Sequence, residues 1–264
     1  RGLTDKMPEL APKLEECQYE NAWRLCDWSL PDPKRSTQQS FEMEHGDEYR
    51  GAQVLGEAAS LPSASPQNTF HRSVYSCLNE LTKGQRIDAD LLCTRVEVLR
   101  ILSRGGQVQE DTLAAALPML HQLNEIEEVR NAHYSTRGAG RLRELVTRRW
   151  QTGRDALVSG FHAFEQTLAL RESLVRSIGK TDMLPELLVY NLSVARRAHA
   201  EMITTNKLNE LKAMQGCSQA VLEEAVLEEC KLKAACGNTL AAIGASTELA
   251  ARLYERKDRR GVQL

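Results

Sequence analysis

The sequence predicts an all-α protein: an α-solenoid of degenerate TPR/HEAT-like helical hairpins, with about 8–10 helices and one long mobile loop near the N-terminus. Three observations predict it. Apolar residues recur at helical spacing along almost the whole chain. Aromatic residues make up 5% of the 264 positions and prolines number eight, too few β-formers and turn residues for a sandwich or barrel. Helical stretches are joined by short breakers, and pairs of them return at a spacing of roughly 35–45 residues without a strict consensus. Residues 1–264 therefore read as a single helical-repeat segment, and the start at Arg1 and the charged end ERKDRRGVQL suggest a piece cut from a larger protein.

In the opening helix Leu14, Cys17, Leu25 and Trp28 share one face, and Tyr19, Trp23 and Cys26 an adjacent one, which predicts a helix covered on two sides. Residues 31–66, rich in Pro, Ser, Gly and acidic side chains, are the expected mobile loop. A second helix over 69–82 carries Phe70, Val74, Cys77, Leu78 and Leu81 on one stripe. A third begins near Ile87, with Asp88 in its first turn and Leu91, Val98 and Leu102 on one face, and stops at Gly105-Gly106. The pattern over 110–134 is expected to bury Leu113, Leu117, Leu120, Leu123 (or Asn124) and Ile126, and Pro118 is expected to kink or split it. A basic helix follows Gly138-Ala139-Gly140. Helices over 161–178 and 184–204 come next, the latter started by Leu184-Pro185. Two more, over 219–235 and 239–257, are parted by Cys236-Gly237-Asn238.

Sequence signs of chemistry are few. No G-x-S-x-G elbow, phosphate-binding P-loop or H-E-x-x-H is present. Gly138-Ala139-Gly140 opens a G-x-G, but Arg143 stands where the third glycine belongs, and no strand precedes it. Glu42-x-x-His45 is half of a di-iron carboxylate pattern without its second half. The seven cysteines (17, 26, 77, 93, 217, 230 and 236) contain no C-x-x-C and mostly sit among leucines and alanines, as reduced core thiols of the cytosol or nucleus would. No metal or cofactor is expected in this chain. A net charge of −2 offers no global attraction to nucleic acid, and no apolar run approaches the ~20 residues of a membrane span.

One segment reads as a binding surface. Arg141, Arg143, Arg148, Arg149 and Arg154 surround Leu142, Leu145, Val146 and Trp150, a pattern suited to an acidic protein partner rather than to direct contact with nucleic acid. Ahead of that reading stands the bland one, a solenoid helix whose apolar stripe is buried and whose arginines are solvated or paired with Glu144 and acidic neighbours. Of the two S/T-Q dipeptides, Thr37-Gln38 lies in the expected loop and makes Thr37 a candidate phosphosite, whereas Ser218 reads as a helix N-cap. Tyr19, Trp23, Trp28 and Trp150 are expected to be structural anchors.

The stretch PKLEECQYENAWRLCDW, with Glu16-Cys17-Gln18-Tyr19, Ala22-Trp23-Arg24 and Trp28, followed after a loop by Ser73-Val74-Tyr75-Ser76-Cys77-Leu78, resembles the start of the FAT region of ATM-like PI3-kinase-related serine/threonine protein kinases. The resemblance continues in order through LPMLHQLNEIEEV, RRWQTGRDAL, FEQTLALRESLV, LPELLVYNLSVARRA and VLEEAVLEE, and departs in the loop. It implies an array of helical hairpins that wraps around a kinase domain, helps restrain it and contributes to dimerisation. The implied parent acts at DNA double-strand breaks, resides in the nucleus with cytoplasmic residence left open, and uses ATP and a divalent metal. Neither an H-R-D or D-R-H nor a D-F-G occurs here, so no catalytic residue carries over and the chain itself is expected not to be an enzyme. Its expected partners are the kinase domain and other helical repeats of the same polypeptide, a second protomer and other proteins. Alternatives are a free-standing TPR-like adaptor, the FAT region of another PI3-kinase-related kinase and, furthest from the pattern, an all-helical enzyme.

Overall fold

A computed structural model describes residues 10–32, 69–103, 110–152 and 158–261. Among these residues the chain is all-α, with ten α-helices, one π-helical turn, one 3-10 turn and no strand. The expected loop lies outside the described residues except for Pro31 and Asp32. The chain divides into two compact units, residues 1–136 with 169–179, and residues 137–168 with 180–264.

The first unit holds α1 (Ala11–Leu25), α2 (Phe70–Thr82), α3 (Asp88–Ser103), α4 (Glu110–His133) and the C-terminal part of α6 (Phe161–Ser177). Pro12 sits in the first turn of α1, where its missing N–H costs nothing. The helix ends at Cys26, in the left-handed region at φ 53°, with the Asp27 N–H donating to the Ala22 carbonyl at 2.9 Å. Only one side of α1 is covered: Tyr19, Ala22 and Trp23 are buried, whereas Leu14 and Cys17 are exposed and Leu25 is 78% exposed. Among the described residues the second apolar face is covered only beyond the helix end, at half-buried Trp28.

In α2 all of Phe70, Val74, Cys77, Leu78 and Leu81 are buried, as their spacing predicts. Helices α3 and α4 run antiparallel: Tyr134 donates to the Gln85 carbonyl at 3.1 Å, Arg130 pairs with Asp88, and Arg95 reaches Glu127 at 2.7 Å and Asn124 at 2.9 Å. Pro118 does not split α4, which is one continuous helix. The residue whose carbonyl loses its partner, Ala114, is exposed, so water can take that bond. Leu123 and Ile126 are buried as expected, but Leu113 and Leu117 are exposed.

The second unit holds α5 (Gly138–Glu144), the π-turn Leu145–Arg149, the first part of α6, α7 (Leu184–Arg197), α8 (Glu201–Ala213), α9 (Gln219–Ala235) and α10 (Thr239–Gly261). Phe161, Leu168, Tyr190, Val194 and Ala195 form a buried cluster, flanked by Phe164, Ala200 and Ile203. The helix expected over 184–204 is two helices. His199 turns left-handed at φ 59°, and the Ala200 N–H donates back to the Ala195 carbonyl at 2.9 Å. That 6→1 bond is a Schellman closure built without glycine. Ser218 caps α9 as expected, accepting from the Val221 N–H at 3.3 Å. In α10 Ala242 is buried, whereas Leu240, Ile243, Leu253 and Tyr254 are exposed.

Candidate functional site

The aromatic cluster of α1 works as a joint. Trp23 is fully buried, its Nε1–H directed to His71 Nδ1 at 3.4 Å with the two rings stacked 6.0 Å apart. The Arg24 guanidinium lies 5.5 Å from the Trp23 ring centre. Tyr19 meets Tyr75 edge-on at 5.2 Å, and the two hydroxyls donate to the carbonyls of Pro31 and Leu30, both at 3.0 Å. Trp28, half-buried, packs on the Tyr75 ring at 5.4 Å. The chain is thus tied down where it leaves α1.

Glu16 ties down the other end. Thr69, at the N-cap position of α2, makes no side-chain cap, and Glu16 of α1 accepts the His71 N–H instead. A carboxylate at a helix N-terminus meets unsatisfied N–H groups and the positive end of the helix dipole. Burial nevertheless dominates and raises the Glu16 pKa to about 6, against the pull of the His71 and Arg72 N–H groups and the Arg72 charge. Burial also lowers the His71 pKa, opposed by Glu20, whose carboxylate lies 3.6 Å from His71 Nε2. No local sequence signal marks this cap, because its two partners are distant in the chain.

The basic segment is built on a different principle. Leu142, Leu145, Val146 and Trp150 are buried, while Arg141, Arg143, Arg148 and Arg149 are exposed, as is Arg137 just before α5. The Trp150 N–H donates to the Leu145 carbonyl at 2.9 Å, the bond that closes the π-turn. The extra residue in this turn leaves Arg148 and Arg149 outward between buried Val146 and buried Trp150. Arg143 lies 3.6 Å from Asp182 and Arg148 3.7 Å from Glu144, all four side chains being more than half exposed. Arg154 lies outside the described residues, and so do Thr37, Glu42 and His45.

Buried charge is used for helix packing. In the first unit Arg171 of α6 donates to Glu125 of α4 at 2.7 Å, both buried. In the second, Glu228 of α9 accepts from Arg196 of α7 at 2.5 Å and from Lys231 at 2.6 Å. Burial would raise the Glu228 pKa, but the hydrogen bonds from Lys231 and Arg196 outweigh it and hold it below the ordinary glutamate value. Glu16, Glu125, Arg171 and Glu228 were all missed by the sequence reading, which expects inward positions to be apolar.

The cysteines correct another expectation. All seven are free, but only Cys77 and Cys230 are buried, while Cys17, Cys93 and Cys236 are exposed. Among the described residues no group of three or more His, Cys, Asp or Glu side chains could hold a metal ion, and no helix is long and apolar enough to cross a membrane. Tyr19, Trp23 and Trp150 are buried anchors and Trp28 a partly covered one. In comparisons with protein-family profiles, curated proteins and solved structures, none matches this chain.

Proposed function

We propose that this chain is a non-catalytic helical scaffold, an α-solenoid segment equivalent to the FAT region of an ATM-like kinase. In this reading it supports and regulates a kinase domain of the same polypeptide, takes part in homodimerisation, and serves DNA double-strand-break signalling in the nucleus. ATP and a divalent metal would be bound by that kinase domain rather than by these helices. The kinase assignment rests on the sequence motifs around Tyr19, Trp23 and Trp28, and on the order of the later helical stretches.

One observation carries the scaffold reading: apolar stripes left uncovered among the described residues. Leu10 just before α1, Leu14 and Leu25 on it, and Leu240, Ile243 and Tyr254 on α10, are exposed. A helical array that stands alone needs polar outer faces at its ends. Apolar ones call for further helices against them. The mechanism is conformational, since packed helical repeats pass a shift at one surface along as a rigid-body or hinge movement.

The test is the association state of the whole chain by sedimentation velocity. Self-association is expected, and Leu14→Lys, Leu25→Lys, Leu240→Lys and Ile243→Lys together should suppress it without loss of helicity. A monodisperse parent chain that binds no apolar dye would contradict the reading and favour a free-standing adaptor.

A further inference from the structure

We propose that the arginines displayed by α5 and its π-turn are a docking surface for an acidic peptide segment of a partner protein. The proposal goes beyond the scaffold reading and does not depend on it. Arg137, Arg141, Arg143, Arg148 and Arg149 are all exposed, and within that stretch only Glu144 supplies a carboxylate. Positive charge is concentrated here in a chain whose net charge is −2. The guanidinium groups stand on a fixed base, because Leu142, Leu145, Val146 and Trp150 are buried and the Trp150 N–H closes the π-turn on the Leu145 carbonyl.

The ion pairs that the segment makes with Asp182 and Glu144 are long, at 3.6 and 3.7 Å, and solvent-exposed. Such pairs contribute little and exchange readily for a carboxylate that accepts two guanidinium N–H bonds. Arg137, Arg141 and Arg148, four and seven residues apart, recur on one side of the segment and span at most about 17 Å along it, at ~1.5 Å per residue. That is the length of about five or six residues of extended peptide, at ~3.3 Å each. A short acidic run therefore spans these three, while Arg143, six residues after Arg137, falls on another side beside Asp182.

Nucleic acid fits less well. The aromatic side chain of the segment, Trp150, is 1% exposed and cannot stack on a base. Nor does the net charge of −2 supply the broad positive field that phosphate binding relies on.

Fluorescence anisotropy of a labelled poly-glutamate peptide of about ten residues, titrated with the whole chain at about 50 mM and about 300 mM salt, tests the proposal. Saturable binding at low salt is expected, weakened at the higher salt. Combined Arg141→Glu, Arg148→Glu and Arg149→Glu changes should weaken it by at least about tenfold, with helicity preserved by circular dichroism. The milder pair Arg141→Gln and Arg148→Gln should give a smaller loss, and Lys83→Glu, an exposed charge in the first unit, none. Absence of saturable binding at low salt would overturn the proposal, as would binding indifferent to the arginine changes. Tighter binding of a single-stranded oligonucleotide of equal charge through the same arginines would overturn it in favour of nucleic acid.

Discussion

Replacing Glu16 by glutamine should make the protein more stable at neutral pH, although it deletes a charge from a helix cap. Glu16 is 6% exposed and accepts the His71 N–H at the start of α2. The charged groups around it are Arg72 and His71 from α2, and Glu15 and Glu20 from α1. Its pKa rises from 4.5 to about 6 in the folded chain, chiefly through burial. The folded state therefore holds the Glu16 proton more tightly than the unfolded state does. Its contribution is fully present below pH 4.5 and is lost as pH rises through about 6. At 1.36 kcal/mol per pH unit that rise corresponds to at most about 2 kcal/mol. Glutamine keeps an acceptor oxygen for the His71 N–H but does not titrate. Glu16→Gln should thus match the parent near pH 4.5 and exceed it at pH 7 by up to about 2 kcal/mol. Urea unfolding followed by circular dichroism between these pH values measures the difference. A variant less stable than the parent at pH 7, or one whose stability difference does not change with pH, would refute the reasoning. In contrast, Glu16→Ala removes the acceptor and should destabilise at every pH.

Three further outcomes follow from packing, backbone conformation and buried charge. Trp23 is fully buried on His71, so Trp23→Ala should cost about 3–5 kcal/mol in urea unfolding, whereas Leu25→Ala on the uncovered face should change stability by less than about 0.5 kcal/mol. His199→Gly should raise the thermal midpoint by relieving a left-handed conformation worth about 1–2 kcal/mol in a residue with a Cβ; an unchanged or lower midpoint would count against a strained turn. Arg171→Ala leaves the Glu125 carboxylate buried without its guanidinium and should destabilise by about 3–5 kcal/mol, while the paired change Arg171→Met with Glu125→Leu should recover much of that loss.

What the sequence disclosed, and what it concealed, follows from what periodicity measures. The stripe of Phe70, Val74, Cys77, Leu78 and Leu81 foretold the buried face of α2 because that helix has neighbours waiting for it. The same spacing put Leu14 and Leu25 of α1 on one face and Leu113 and Leu117 of α4 on the stripe of Leu123 and Ile126, yet these four leucines are exposed. Spacing shows which residues lie together; it does not show whether anything covers them. The division between α7 and α8 was hidden for a different reason. The turn at His199 uses neither glycine nor proline, and the apolar pattern runs through it. Of the two outcomes expected of Pro118, a kink or a split, the split does not occur, since α4 runs through it as one helix.

The polar features were the least legible. Glu16 lies far from the helix it caps, and Arg171–Glu125 and Arg196–Glu228 each join two helices, so none leaves a local motif. Their charges look like solvated positions in the sequence and become buried only through tertiary packing. The basic segment was half legible: its arginines stood out, but the π-turn that sets Arg148 and Arg149 outward did not. Exposure of Cys17, Cys93 and Cys236 likewise follows from faces left uncovered, which their leucine-rich surroundings did not betray.

The proposed role as a kinase scaffold is tested most directly by the full-length transcript that encodes this chain. A PI3-kinase-type catalytic domain in the same reading frame, C-terminal to these helices, is the predicted result. A reading frame without one would contradict the kinase assignment.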